Sequence, residues 1–379
     1  MANRAFKFLC YPDKQQFTQI MKTVGCCRFV YNQVLAWKNA AYAADKTSIP
    51  LTVLSNALTQ TKKFYPWLAK VDSIALQQSL RHLDTAFNNF FDPKLKAKYP
   101  KFKSKKKSRW AYTSVVVNGN IHINRKENTV TLPKIGDVRI VLSRDIPEGW
   151  TLTSVTVSVE RDRTVYISCL FDYDDIPVFF SVDREHSIGF DYKSDGLYED
   201  SDGHVCGSPK YFRKSQEKLA KEQRKLRHKQ PGSNNYEKQK VKVAKVHHHI
   251  ANQRKDFLHK ESTKIANSYD IVCIEDLNMK DLSNKGFGNG KATMDNGWGM
   301  FVNMLAYKLQ ERGKILVKVS KWSPSSQLCH VCGYQNPEVK DTRIRYWKCP
   351  SCGAEHDRDH NAAINIKTEG LRILYGTAT

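Results

Sequence analysis

Four cysteines near the end of the chain have the spacing of a metal site. They form two C-x-x-C pairs, Cys329 with Cys332 and Cys349 with Cys352, and a glycine follows each pair. Four thiolates in this arrangement suit tetrahedral Zn²⁺, and glycine permits the tight turns. Two disulfides are the alternative, but the chain is large and shows no secretion signal. We predict a structural zinc ion, because four cysteine ligands leave no open coordination position for catalysis.

A second kind of chemistry is indicated by acidic residues at the ends of predicted elements. Asp191 ends the apolar strand "SIGFD", Glu275 ends "IVCIE", and Asp357 and Asp359 open the last helix. Carboxylates that converge repel one another unless a hard cation such as Mg²⁺ lies between them. Two such ions can activate water and stabilise the leaving oxygen in phosphodiester cleavage. Taken singly, each residue could instead be a solvated strand end or a helix N-cap.

The elements that must position these groups follow from hydrophobic periodicity. Residues 4–10 alternate as a strand, and 73–91 has the apolar spacing of a helix in a mainly helical first hundred residues. Residues 110–175 read as short antiparallel strands of a barrel or small sandwich, which the opening strand could join. From residue 187 strands alternate with helices, as in an α/β unit, and 210–267 predicts a lysine-rich helical hairpin.

Charge indicates a polyanionic partner. The chain has 61 Lys and Arg against 38 Asp and Glu, a net charge of +23, which favours nucleic acid over a basic surface that only aids solubility. The positive charge is concentrated in the loop 93–109 and in the helical hairpin. Tyr99 and Phe102 in the loop could stack on bases. The basic residues of the hairpin could also be an ordinary solvated helix face. The candidate nucleic-acid contacts are Lys101, Lys103, Lys105, Lys106, Lys107, Arg109, Arg224 and Lys225.

The remaining cysteines and the apolar residues predict a cellular setting. No run of 18 apolar residues predicts a membrane span, and the N-terminus has no apolar signal core. The cysteines outside the two pairs are most simply reduced core residues. We therefore expect a cytoplasmic protein.

Several motifs together resemble the TnpB family, which is encoded by bacterial and archaeal insertion sequences and is related to type V CRISPR effectors. They are "IGFD", "IVCIEDLNM", "WSPSSQLCHVCG" and "CPSCG" followed by "HDRDHNAA", and the resemblance extends over nearly the whole chain. It implies a multidomain α+β fold with an RNase H-like (RuvC) α/β nuclease domain that carries a zinc-ribbon insertion, a β-barrel wedge domain and a helical recognition domain.

The resemblance also implies domain boundaries. The wedge domain would comprise residues 1–12 and 104–182, and the recognition domain residues 13–103. The nuclease domain would comprise 183–328 and 353–379, with the zinc-binding, target-nucleic-acid-binding insertion at 329–352.

An activity follows from the resemblance as well. The chain is expected to be an RNA-guided, Mg²⁺-dependent DNA endonuclease of a transposable element, with Asp191, Glu275 and Asp359 as the catalytic carboxylates that hold two Mg²⁺ ions. Asp357 would instead cap the helix. The implied partners are a guide RNA from the element end, one protein per RNA, and double-stranded target DNA beside a short adjacent motif. An RNA-guided repressor that does not cut and a strand-joining transposase are the alternatives.

Three further features of the sequence each allow two interpretations. Gln77 and Gln78 could read adenines of the adjacent motif or be the polar face of an amphipathic helix. Lys193 stands where many relatives have glycine, and it could contact a phosphate or point to solvent. The glycine-rich segment 286–299 could be a mobile lid beside the active site or a plain linker.

Overall fold

The computed structural model of the chain describes residues 2–174, 182–283 and 290–376. The chain divides into two units, Met1–Ile176 and Pro177–Thr379. Within the described residues, no helix is both long enough and apolar enough to span a membrane.

A seven-stranded antiparallel sheet forms the base of the first unit, in the order β2-β6-β7-β1-β5-β4-β3. Its strands are β1 Ala2–Tyr11, β2 Trp110–Val115, β3 His122–Asn124, β4 Thr129–Leu132, β5 Gly136–Val141, β6 Thr151–Val159 and β7 Val165–Tyr173. Alternate side chains of β7 are buried, as period-two patterning requires of a sheet with one face on a core. The opening strand β1 lies between β7 and β5, so the helices that follow it are inserted within this sheet.

Three helices make up that insertion: α1 Lys14–Asp45, α2 Leu51–Phe64 and α3 Ser73–Phe91. A capping box starts α1, because the Asp13 side chain accepts from the Gln16 backbone while the Gln16 side chain accepts from the Asp13 backbone. Buried Asp72 caps α3 and accepts a hydrogen bond from Ser114 of β2, which ties this helix to the sheet. The predicted helix 73–91 is confirmed with its boundaries.

The second unit has helices on both faces of a five-stranded sheet, in the order β10-β9-β8-β11-β12. The strands are β8 Ser187–Tyr192, β9 Tyr198–Asp200, β10 Val205–Cys206, β11 Ile271–Glu275 and β12 Ile315–Val319. Strands β8, β11 and β12 are parallel, with β12 at one edge of the sheet, whereas β9 and β10 form an antiparallel hairpin. This is the α/β unit that the alternation of strands and helices predicted.

The α-helices of this unit are α4 Tyr211–Arg227, α5 Asn234–Ser268, α6 Met279–Leu282, α7 Gly290–Asn296, α8 Trp298–Gln310 and α9 Arg358–Tyr375. Alternate residues of β11 face the helices on opposite sides of the sheet. Val272 and Ile274 face α5 and α8, and Ile271 and Cys273 face α9. The helical hairpin of α4 and α5 is confirmed, with its break at residues 228–233.

The segment 286–299 is not a plain loop where the structure describes it. Residues 286–289 lie outside the described residues, but α7 and the start of α8 occupy the rest. Gly297, with φ 71°, supplies the left-handed residue between the two helices, and Trp298 is buried directly after it. Burial of this tryptophan and of Asp295 and Asn296 orders a stretch that its glycines predicted to be mobile.

Candidate active site and zinc centre

The structure brings the three predicted acids to one edge of the second sheet. Asp191 lies near the end of β8 and Glu275 at the end of β11, and these strands are parallel neighbours with Phe190 opposite Ile274. Asp359 lies in the first turn of α9, which packs on β8. Burial raises the pKa of Asp191 well above its ordinary value, and the nearby carboxylates of Glu275 and Asp359 raise it further. The carboxylate of Asp191 is therefore close enough to those of Glu275 and Asp359 to be repelled by both.

Two local features place Asp359 in this site. The Asp357 side chain is the N-cap of α9 and accepts from the backbone N–H groups of Asp359 and His360, at 2.9 and 3.1 Å. The expected capping role of Asp357 is thus confirmed. Gly189 of β8 allows α9 to approach, since a Cβ at this position would lie 2.2 Å from the carbonyl oxygen of Ala363. The helix start and the strand end can meet only because that side chain is absent.

Glu275 is held by a hydroxyl group. Ser325 Oγ donates to Glu275 Oε1 at 3.2 Å, from the segment that follows β12. Burial raises the pKa of Glu275, and this hydrogen bond opposes the rise. Sequence reasoning did not single out Ser325, which belongs to the motif "WSPSSQLCHVCG".

A fourth acid, Glu199, also belongs to the site and was missed from the sequence. It lies directly opposite Asp191 in the antiparallel pair of β8 and β9, and it is buried. Directly opposed like charges destabilise a strand pair unless a cation compensates them. The strand register that sets Glu199 against Asp191 was not predicted.

The compensating cation is Lys193. Its Nζ lies 2.6 Å from Glu199 Oε2 and 3.0 Å from Asp359 Oδ2. Of the two earlier possibilities for this residue, exposure to solvent is wrong, because the surrounding carboxylates bind the ammonium group. Contact with a phosphate stays a prediction. Burial lowers the pKa of Lys193, but the hydrogen bonds to Glu199 and Asp359 outweigh it and the pKa lies above its ordinary value.

Arginines complete the surroundings of Asp359. Arg345 Nη1 lies 3.2 Å from each oxygen of Asp359, and Arg358 Nη1 lies 3.7 Å from Oδ1. Arg345 directly precedes the strand β13 Tyr346–Lys348 of the cysteine-rich segment. This segment therefore contacts the acidic site through an ion pair that the sequence pattern did not indicate.

The donor set fits a hard divalent cation. Asp191 of β8 lies near the carboxylates of both Glu275 of β11 and Asp359 of α9, and the repulsion that it experiences favours an ion that neutralises it. Oxygen ligands of this kind are those that Mg²⁺ prefers.

The four cysteines form a second, separate group. Their sulfur atoms all lie within 4.8 Å of one another, with Cys329 Sγ 3.6 Å from Cys352 Sγ and Cys332 Sγ 3.6 Å from Cys349 Sγ. These separations are too long for disulfides, and they match the edge of about 3.8 Å of a tetrahedron with Zn–S bonds of about 2.3 Å. The cluster fits a structural zinc ion.

The surroundings of the cysteines support this assignment. Gly333 and Gly353 both have φ 76°, the left-handed turn predicted after each pair. His356 is buried on β14 Glu355–Asp357, which pairs with β13, and its Nε2 lies 3.1 Å from Cys329 Sγ. It is not one of the four ligands, but it can orient one of them by a hydrogen bond.

The structure distributes the candidate nucleic-acid contacts over both units. The loop 93–109 contains no helix or strand, and Arg161 holds it by donating to the carbonyl oxygens of Lys105, Lys106 and Ser108. The side chains of Lys101, Lys105, Lys106, Lys107 and Arg109 are exposed. Lys103 differs, because its Nζ lies 3.8 Å from the centre of the Tyr31 ring and burial lowers its pKa.

The other candidates lie on helices. Gln77 is exposed on α3 and Gln78 is half-buried, and Arg224 and Lys225 are exposed on α4. Lys225 pairs with Glu222 at 2.8 Å, as an ordinary helix face would. Contact of these residues with nucleic acid stays a prediction.

Three protein-family models match separate parts of the chain. Residues 298–366 match the Cas12f1-like TNB domain, 186–285 match the OrfB_IS605 family described as a probable transposase, and 1–47 match the helix-turn-helix domain of the same family. Of these, the described residues 2–47 contain β1 and the single helix α1.

Curated relatives decide the family. A Streptomyces pristinaespiralis protein named "Putative RNA-guided DNA endonuclease" is 38% identical over 373 residues, which cover 97% of this chain and 89% of the relative. The Escherichia coli K12 protein InsQ, with the same description, is 31% identical and covers 98% and 93%. The chain belongs to the TnpB family. Proteins of mimivirus named as TnpB-like are 29% identical over 38% of the chain.

A solved structure agrees with the family assignment at the level of the fold. The Cas12f1 chain of an sgRNA–target DNA complex superposes with a TM-score of 0.52 at 14% identity, over 93% of this chain and 83% of that one. The mixed α+β multidomain fold of this TnpB protein thus resembles that of Cas12f, with the cysteine cluster in the region of the TNB domain.

Proposed function

We propose that the chain is an RNA-guided, Mg²⁺-dependent DNA endonuclease of an IS605-type transposable element. The observation that carries the proposal is the convergence of Asp191, Glu275 and Asp359 in a chain that matches RNA-guided DNA endonucleases over nearly its whole length. A basic protein with an acidic cluster suits this activity. The basic surface binds polyanions, and the acids bind the cations that assist their cleavage.

Asp191, Glu275 and Asp359 would hold the metal, with Asp191 next to both of the others. Mg²⁺ bound there supplies a water of lowered pKa and neutralises charge on the leaving oxygen. The chain's own residues prepare the site: Ser325 orients Glu275, and Asp357 fixes the helix start that presents Asp359. Burial and the nearby carboxylates raise the pKa of Asp191, and a bound cation would favour its ionised form.

The finer architecture is also part of the proposal. The first sheet, at 1–12 and 104–182, would be the wedge domain, and the inserted helices, 13–103, the recognition domain. The second sheet with its helices, 183–328 and 353–379, would be the RuvC-like nuclease domain, with a zinc-bearing insertion at 329–352. The insertion of α1 to α3 between β1 and β2 supports this division. Guide RNA and target DNA would lie against the exposed lysines of the loop 93–109.

The test compares two acidic substitutions in the complex of the protein with its co-purifying RNA. We expect Asp191→Ala to abolish cutting of a matching DNA while RNA binding is unchanged. Asp276→Asn is the matched control, since this exposed acid adjoins Glu275 but pairs with Lys318. Full-rate cutting by Asp191→Ala would refute the assignment.

Two other outcomes would replace the proposal. Tight binding of target DNA by the wild type without cutting in any divalent metal would indicate an RNA-guided repressor. Joined DNA strands formed without RNA would indicate a transposase, because acidic clusters of this kind also serve strand transfer.

A further inference from the structure

The ammonium group of Lys193 lies beside Asp359, one of the proposed metal ligands. It follows the end of β8, its side chain is 19% exposed, and its ammonium group bridges Glu199 and Asp359. The backbone is held as well, since Asn296 Nδ2 donates to the carbonyl oxygens of Lys193 and Ser194 at 3.3 and 3.4 Å. Neighbouring side chains therefore hold both the ammonium group and the backbone of Lys193.

The bridge occupies an oxygen that a cation would use. Lys193 binds Asp359 Oδ2, and Arg345 contacts both oxygens of the same carboxylate. A divalent ion that takes Oδ2 has to displace the ammonium group or accept a like charge about 3 Å from its own ligand. A neighbouring charge of this kind changes the binding of a cation by about tenfold or more, the size of a one-unit change in pKa.

Glu199 makes such a displacement feasible. It is buried, and the ammonium group is closer to it than to Asp359, at 2.6 against 3.0 Å. When Asp359 turns to a metal ion, Lys193 can keep its bond to Glu199, so that neither buried charge loses its partner.

We propose that Lys193 is a positioning residue that competes with the divalent cation for Asp359 and thereby sets the metal concentration that cleavage requires. This inference rests on the proposed function, because it assumes that Asp359 is a metal ligand. It assigns Glu199 the role of holding the ammonium group in both states.

The experiment measures Mn²⁺ binding by electron paramagnetic resonance in the full chain with its RNA. The Asp191→Ala complex serves as the blank, so that ions bound by the RNA are subtracted. We expect Lys193→Met, which keeps the aliphatic stem, to lower the Kd for Mn²⁺ about tenfold and to lower the Mg²⁺ concentration for half-maximal cutting. Lys193→Arg, which keeps the charge, should remain within about threefold of the wild type.

A second variant controls for the unpaired charge that the first one leaves in the protein. Lys193→Met leaves Glu199 buried without its cation, so the double variant Lys193→Met with Glu199→Gln replaces both charges by neutral groups. It should also bind Mn²⁺ more tightly than the wild type. Unchanged or weaker binding in both variants, or equal tightening in Lys193→Arg, would overturn the inference, even if the melting temperature falls.

The role of Lys193 and the proposed function can fail separately. If Asp191→Ala removes Mn²⁺ binding and cutting while the Lys193 variants match the wild type, only the role of Lys193 is wrong. If the wild type binds no more Mn²⁺ than Asp191→Ala and does not cut, the proposed function fails and the inference fails with it.

Discussion

Gly189 offers a sharp test of how the fold positions the acidic site. A Cβ there would lie 2.2 Å from the carbonyl oxygen of Ala363 and 2.7 Å from the backbone N of Lys367, where ordinary contacts begin at 3.4 Å. Both neighbours are backbone atoms of α9, so no side chain can rotate away. Gly189→Ala must therefore push α9 away from β8 by about 1 Å.

The displacement of α9 should lower the stability of the fold and move Asp359. Overpacking of this kind costs about 1–3 kcal/mol, which corresponds to a fall in melting temperature of roughly 5 °C for a unit of this size. Asp359 lies one helical turn before Ala363, so it moves with the helix. A misplacement of about 1 Å can cost on the order of 100-fold in rate.

The assay is single-turnover cutting of target DNA by the RNA complex at saturating Mg²⁺, together with the melting temperature. Gly207→Ala is the control, because its Cβ would meet no atom within 4 Å and its φ lies outside the left-handed region. We expect Gly189→Ala to fold with reduced stability and to cut at about one hundredth of the wild-type rate. A variant that melts and cuts like Gly207→Ala would refute the reasoning that α9 depends on this close approach.

Two further predictions concern the metals. Cys352→Ser should reduce bound zinc from about one ion per chain to almost none, measured by elemental analysis, whereas Cys206→Ser, outside the cluster, should retain it. Retention of zinc by Cys352→Ser would contradict the four-cysteine site. The second prediction is that the rise in melting temperature caused by Mg²⁺ should grow as the pH increases above the ordinary Asp pKa of about 4. Burial and neighbouring carboxylates raise the pKa of Asp191, so the metal-free folded state keeps a proton that the unfolded chain has lost. Its stability therefore falls with increasing pH, and Mg²⁺ competes with that proton. A Mg²⁺ effect that is constant or shrinks with pH would contradict this linkage.

Local patterns account for most of the elements that were predicted correctly. The helix 73–91, the strands of the first sheet and the break between α4 and α5 follow from apolar periodicity and turn residues, which act over a few positions. The cysteine pairs could be read in the same way, because each pair and its glycine form a local turn.

Contacts between residues far apart in the sequence account for the features that local patterns did not predict. The segment 290–299 contains three glycines, yet burial of Trp298 and the hydrogen bonds of Asp295 and Asn296 make it helical. Lys103 belongs to a strongly basic loop, yet it packs on Tyr31 of α1, which lies far away in sequence. Neither outcome is visible in a window of neighbouring residues.

The acidic site also combines features that follow from local patterns with features that depend on distant contacts. The sequence by itself predicted the acids of the proposed site. Asp191 and Glu275 end apolar strands, and the resemblance to the TnpB family selected Asp359 at the start of the last helix. Only the tertiary structure decided what surrounds them. The strand register places Glu199 opposite Asp191, and the approach of α9 at Gly189 brings Asp359 within reach of Lys193. Register and helix packing arise from contacts between residues far apart in the chain, so the charges that control the site appear only once the chain is folded.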